Sequence, residues 1–154
     1  MNSSILRPFA ATVLCLAVAS AAPNYSGEWK LNAAKSNFGP MPAPDTMTQK
    51  IKHEEPNLSL AIAQAGQQGE FTYELKYTTD GKESTNTIRD NEMKSTAKWD
   101  GDALKISTKA SFQGNPVSLD DKWTLSEDGK TLTVNRKINS AMGELEQTIV
   151  LEKQ

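Results

Sequence analysis

From Thr46 to the C-terminus, apolar and polar side chains alternate with period two, and Thr, Tyr, Ile, Val and Trp recur between turn residues set roughly eight to twelve positions apart. The alternation predicts strands from Ser26 to Asn32, Thr46 to Glu54, Leu58 to Ala65, Glu70 to Thr79 and Lys82 to Arg89. Further strands are predicted from Glu92 to Trp99, Ala103 to Phe112, Val117 to Leu125, Thr131 to Ile138 and Glu144 to Glu152. Asp80-Gly81, Asp90-Asn91 and Asp100-Gly101 suit two-residue hairpin turns, and Asp128-Gly129 sits in a longer one. Connections this short join antiparallel neighbours only. The fold class read from the pattern is therefore all-β, an antiparallel up-and-down meander of about eight to ten strands that closes into a barrel to remove its edges.

One face of each strand is apolar, as in Phe71, Tyr73, Leu75 and Tyr77, or Leu119, Trp123 and Leu125, while lysines such as Lys94, Lys98, Lys105 and Lys122 alternate onto the other. A membrane barrel shows the reverse arrangement, so the apolar face belongs inside a water-soluble barrel. Between the first two strands, Pro40, Pro42 and Pro44 break the alternation. This segment is expected to cross a closed end of the barrel in preference to covering an open mouth.

Matching apolar faces across the turns sets Ile88 opposite Met93, Met93 opposite Thr108, Thr108 opposite Asp121, Asp121 opposite Arg136, and Arg136 opposite Gln147. A polar row then crosses the inner face, with Asn86, Ser95, Ile106, Trp123, Val134 and Ile149 in the row beside it. Buried charges persist when paired, so Asp121 facing Arg136, flanked by Thr108 and Gln147, reads as a self-satisfied network that fixes register. The competing reading makes Arg136 a receptor for the carboxylate of a bound lipid or small acid, which Asp121 weakens by neutralising the arginine. Inward positions on the middle strands are small, including Ser84, Asn86, Ser95, Ala97 and Thr108, and a wall of small side chains leaves room for a cavity. The candidate ligand-binding set is Ser84, Asn86, Ser95, Ala97, Ile106, Thr108, Asp121, Trp123, Arg136 and Gln147.

Residues 1–22 have the layout of a secretory signal peptide: one basic residue, Arg7, an apolar run from Phe9 to Ala19, and small residues at the expected cleavage site. The run is too short to span a membrane stably. The expected product is a secreted or periplasmic domain over residues 23–154, long enough for one core. Cys15, the only cysteine, falls inside the removed segment, so the mature domain has no thiol or disulfide. Losing Arg7 leaves 17 − 1 = 16 basic against 19 acidic residues, a net charge of −3. Such a balance disfavours nucleic acid and anionic membrane as partners.

His53, the only histidine, shares a strand side with Glu55, but a lone His-x-Glu lacks the further ligands a metal needs. No nucleophile with its base is visible, and the adjacent acids Asp120-Asp121 and Glu54-Glu55 point to opposite faces of a strand. No cofactor and no enzymatic activity are expected.

The stretch "YSGEWKLNAAKSNFG", with Gly27, Trp29, Lys30 and Leu31, resembles the first strand of the calycin superfamily, the lipocalins and fatty-acid-binding proteins, in which Gly-x-Trp starts the barrel and the Trp plugs its closed end. It is also similar to small secreted lipocalin-like proteins of bacteria. The resemblance implies a barrel of eight or ten strands that holds a small hydrophobic or amphipathic ligand without covalent attachment. The alternative is a filled barrel that serves as a structural or protein-interaction module at the cell envelope. The chain departs from the fatty-acid-binding pattern in having a proline loop where those proteins carry a helical lid, and Arg136 is followed by Lys137 and Ile138 in place of an Arg-x-Tyr clamp.

Overall fold

A computed structural model describes residues 21–154. The segment up to residue 20, which holds Cys15 and most of the expected signal peptide, lies outside the described residues. The domain consists of ten strands, β1 (Gly27–Leu31), β2 (Thr46–Glu54), β3 (Asn57–Gly66), β4 (Gly69–Thr78), β5 (Asp80–Ile88), β6 (Asn91–Asp100), β7 (Ala103–Phe112), β8 (Asn115–Leu125), β9 (Thr131–Ser140) and β10 (Gly143–Lys153). They form one antiparallel sheet in the order β4-β3-β2-β1-β10-β9-β8-β7-β6-β5. Curling brings β4 back beside β5, and the result is a nearly closed up-and-down barrel. A three-residue 3-10 turn, Ala33–Lys35, is the one helical piece among the described residues.

The alternation read from the sequence is the alternation of burial. β2, for example, buries Met47, Gln49, Ile51 and His53 and exposes the residues between them. Because strands run alternately up and down, the barrel has two distinct ends. The N-terminal segment, the β2–β3 turn, Thr79, the end of β6 and the C-terminus gather at one. The β3–β4, β5–β6, β7–β8 and β9–β10 turns gather at the other.

The first end is filled. Tyr25, Trp29, Leu58, Leu104, Ile106, Leu132 and Leu151 are almost fully buried. Trp29 donates its indole N–H to the Tyr25 carbonyl at 2.9 Å, and the Tyr25 ring lies against His53, Trp99 and Trp123 at centroid distances of 5.6, 5.9 and 5.4 Å. Trp29 thus plugs a closed end, as the Gly-x-Trp resemblance implies.

Register follows expectation between β8, β9 and β10, where Asp121 faces Arg136, Arg136 faces Gln147, and Trp123, Val134 and Ile149 lie in one row. Between β5 and β8 it is displaced by two residues. Met93 faces Asn86 and Ala110, not Ile88 and Thr108; Thr108 faces Ser95 and Leu119, not Asp121; and Asp121 faces Ile106. The cause lies in the turns. Arg89 and Asp90, with φ of 46° and 64°, form one two-residue loop, Gln113 and Gly114, with φ of 52° and 81°, form another, and Gly101 with φ of 61° starts a third. These choices move the β5–β6 and β6–β7 axes by one residue from the Asp90-Asn91 and Asp100-Gly101 centres read from the sequence, and set the β7–β8 axis at Gln113-Gly114, where no turn centre was read. An even displacement leaves every side chain on its expected face.

Two further differences matter for the site. Asp80-Gly81 does not form a hairpin turn: the chain reverses at Thr79, whose amide bonds the Pro56 carbonyl at 2.8 Å, and β4 and β5 then share no ladder. The proline segment crosses the open end of the barrel, not the closed one. After Leu31 the chain stays with β10, through Asn32 N–H to the Val150 carbonyl and paired bonds between Asn37 and Thr148, and so climbs to the far end before crossing to Thr46.

Candidate functional site

The open end holds a cleft of about 340 Å³. Its roof is the proline segment, with Phe38, Met41, Pro42, Ala43 and Pro44; one side is the β3–β4 hairpin from Gln64 to Gly69; and its floor is Met47, Phe71, Tyr73, Arg136, Gln147 and Ile149. The three prolines of the segment, Pro40, Pro42 and Pro44, supply no N–H groups, so it can cross the mouth without leaving those donors unpaired. Gly39, at φ 61°, makes the corner, with its N–H on the Asn37 side-chain oxygen at 2.9 Å. The roof is also tied from beneath, because the Gln147 amide nitrogen donates to the Phe38 carbonyl at 3.2 Å and lies 3.4 Å from the Met41 sulfur.

Arg136 is the one charged residue that lines the cleft among the described residues. Its Nε and Nη2 donate to the two oxygens of Asp121 at 2.7 Å each, a bidentate ion pair. Burial opposes the guanidinium charge, but the Asp121 carboxylate more than offsets it and holds the arginine pKa above its ordinary value. A guanidinium carries five N–H groups, so three remain after the pair forms. The Tyr73 hydroxyl beside it is pushed up by burial, with Arg136 pulling the other way.

Of the ten residues singled out from the sequence, Arg136 and Gln147 line this cleft, and Asp121 stands behind Arg136. Ser95, Ala97, Ile106 and Trp123 are buried in the packed part of the barrel, where Ser95 and Thr108 bond each other through their hydroxyls at 2.7 Å. Ser84 pairs with Ser95 across the β5–β6 ladder, and Asn86 turns its amide into the space between β4 and β5. Sequence reasoning missed the roof and the β3–β4 hairpin. Period-two patterning does not encode the placement of either, although Gln67 and Gln68 between Gly66 and Gly69, with Gln64 just before them, are a polar, glycine-flanked signal for the hairpin.

His53 and Glu55 do meet, with Nε2 2.8 Å from Oε1, but as part of a lock at the closed end. The Tyr25 N–H bonds Nδ1 at 3.3 Å, so Nε2 carries the proton given to Glu55. Glu55 also accepts from the Thr79 hydroxyl and from the Trp99 indole N–H, the latter at 2.9 Å. One carboxylate therefore joins β2, the β4–β5 corner and β6. No group of three or more potential metal ligands occurs among the described residues.

No protein-family model matches the sequence, and no curated protein matches it. Solved structures do. A secretory abundant heat soluble protein from Ramazzottius varieornatus superposes with a TM-score of 0.63 at 14% identity over 87% of this chain and 98% of that one. The zebrafish ileal bile acid-binding protein complexed with cholic acid gives 0.59 at 17%, over 84% and 98%. A variant of the fluorescent protein UnaG gives 0.56 at 15%, over 84% and 96%. The fold is a calycin-type barrel.

Proposed function

We propose that the protein is a non-catalytic binder of a small apolar or amphipathic molecule, held in the cleft between the proline roof and the floor formed by Met47, Tyr73, Arg136 and Ile149. The observation that carries this reading is the division of the barrel into a filled end and an open end. A wholly packed barrel would have buried Phe71 and Tyr73 against opposing side chains; here they line free volume with one charged anchor, Arg136, beside them. A volume of about 340 Å³ is at the small end for ligand pockets. The bile acid-binding barrel among the similar structures is consistent with this use of the fold. With the sequence pattern of residues 1–22, the reading extends to a secreted or periplasmic binding protein.

The test uses Nile red, a neutral hydrophobic dye. The wild-type domain should bind it saturably with one-to-one stoichiometry, and Ala43→Trp, which fills the mouth from an exposed roof position, should abolish binding while leaving the urea midpoint unchanged. Dye binding that is absent in the wild type, or unaffected by Ala43→Trp, would favour the structural-module alternative or a different site.

A further inference from the structure

We infer that the cleft selects an uncharged ligand with a hydrogen-bond acceptor at its polar end, such as an alcohol, amide or ester, over a carboxylate anion of the same chain. The inference rests on the binding reading above and concerns what that site takes. Its basis is charge accounting around Arg136. The guanidinium is the only formal charge on the cleft surface among the described residues, and it is already matched by Asp121, which is only 10% exposed. The pair enters the cleft as a neutral unit.

An anion placed on the remaining N–H groups would create an arrangement of two negative charges about one positive charge in a partly desolvated space. Like charges at such range disfavour one another strongly, and burial removes the water that would screen them. A neutral acceptor meets no such repulsion. It can take a strong, charge-assisted hydrogen bond from the arginine without adding charge. The other polar groups of the cleft point the same way: Gln64, Gln67, Gln68 and Gln147 are uncharged amides, and among the described residues no second cation lines the cleft, the Arg89 guanidinium being held over the Phe71 ring at 3.9 Å. Asp121 therefore acts as the specificity-determining residue from behind the floor.

Calorimetric titration of the wild-type domain with dodecanol, dodecanamide and dodecanoic acid at pH 8 tests this directly. The two neutral probes should bind about tenfold or more tighter than the ionised acid, and the acid should gain affinity as pH falls and its carboxyl group protonates. Asp121→Asn should reverse the order by uncovering the arginine. If dodecanoate binds the wild type as well as or better than the neutral probes at pH 8, the inference is overturned while the binding function stands. If none of the three binds, both fail. The wild-type series decides the matter even should the variant not fold.

Discussion

The side-chain amide of Asn86 bonds both backbone groups of Lys76, accepting from its N–H at 2.8 Å and donating to its carbonyl at 2.9 Å. It does so where β4 and β5 share no ladder, so one side chain stands in for the peptide group of a missing strand neighbour. Near the open end, the Arg89 guanidinium over the Phe71 ring at 3.9 Å makes a second link across the same seam. Asn86→Ala should lower stability by about 1 kcal/mol or somewhat more, the cost of leaving a partly buried backbone pair without its partner. Asn86→Asp should be no better, because a carboxylate can serve the N–H but opposes the carbonyl. Hydrogen exchange at the Lys76 amide should accelerate in both variants. Unaltered exchange there would show that the seam is closed by other contacts.

The Asp121–Arg136 pair should respond asymmetrically to mutation. Arg136→Met strands a carboxylate that is only 10% exposed and should cost about 3 kcal/mol or more. Asp121→Asn leaves a guanidinium that is 31% exposed, open to water through the cleft, and should cost about 1–2 kcal/mol. Replacing both by apolar residues should be milder than Arg136→Met alone. Chemical denaturation of the three variants checks the order, and equal costs for the single variants would contradict the burial difference.

Glu55 should contribute an acid-sensitive part of stability. Burial raises its pKa, but hydrogen bonds from Thr79, His53 and Trp99 outweigh that and bring the folded value below the ordinary 4.5. A depressed carboxyl pKa stabilises the fold above the unfolded value, and the contribution disappears as pH falls through the folded one. The difference in urea midpoint between wild type and Glu55→Gln should therefore be constant above about pH 5.5 and shrink below pH 4.5. A difference independent of pH would mean that the carboxylate charge is not what the lock uses.

Trp29 is fully buried and hydrogen-bonded to the Tyr25 carbonyl. Trp29→Ala should cost about 3–5 kcal/mol and loosen the N-terminal segment, seen as faster exchange at the Tyr25 amide. Trp29→Phe should retain more of the packing and lose the hydrogen bond. Unchanged denaturation midpoints would contradict its role as the plug of the closed end.

Strand existence, strand faces and the Asp121–Arg136 pair were legible in the sequence because each depends on period-two alternation or on the rule that buried charges must pair. Register between β5 and β8 was not, for a specific reason. Alternation repeats every two residues, so a displacement by two leaves Ser95, Thr108 and Met93 on their expected faces and only turn conformation can detect it. Arg89-Asp90 and Gln113-Gly114 are weak turn signals, and nothing in the local pattern ranks Arg89-Asp90 above Asp90-Asn91. The small inner wall suggested a cavity at Ser95 and Ala97, yet opposing large side chains such as Tyr77 and Trp123 are buried in the same barrel interior. The free volume lies instead where the roof departs from regular structure.

The seam between β4 and β5 also has a topological meaning. In the native chain, closing the sheet requires β1 to find β10, a pairing that spans nearly the whole domain and brings the ends together, with the Gln154 amide on the Glu28 carbonyl at 2.9 Å. Joining those ends with a short linker and opening the chain between Thr79 and Asp80 would give the strand sequence β5 through β10 followed by β1 through β4. That sequence is the spatial order of the sheet, so each ladder would then connect consecutive strands. Such a circular permutant should fold faster than the natural chain, as lower contact order dictates, while the Asn86 amide becomes a hydrogen-bonded clasp between its first and last strands.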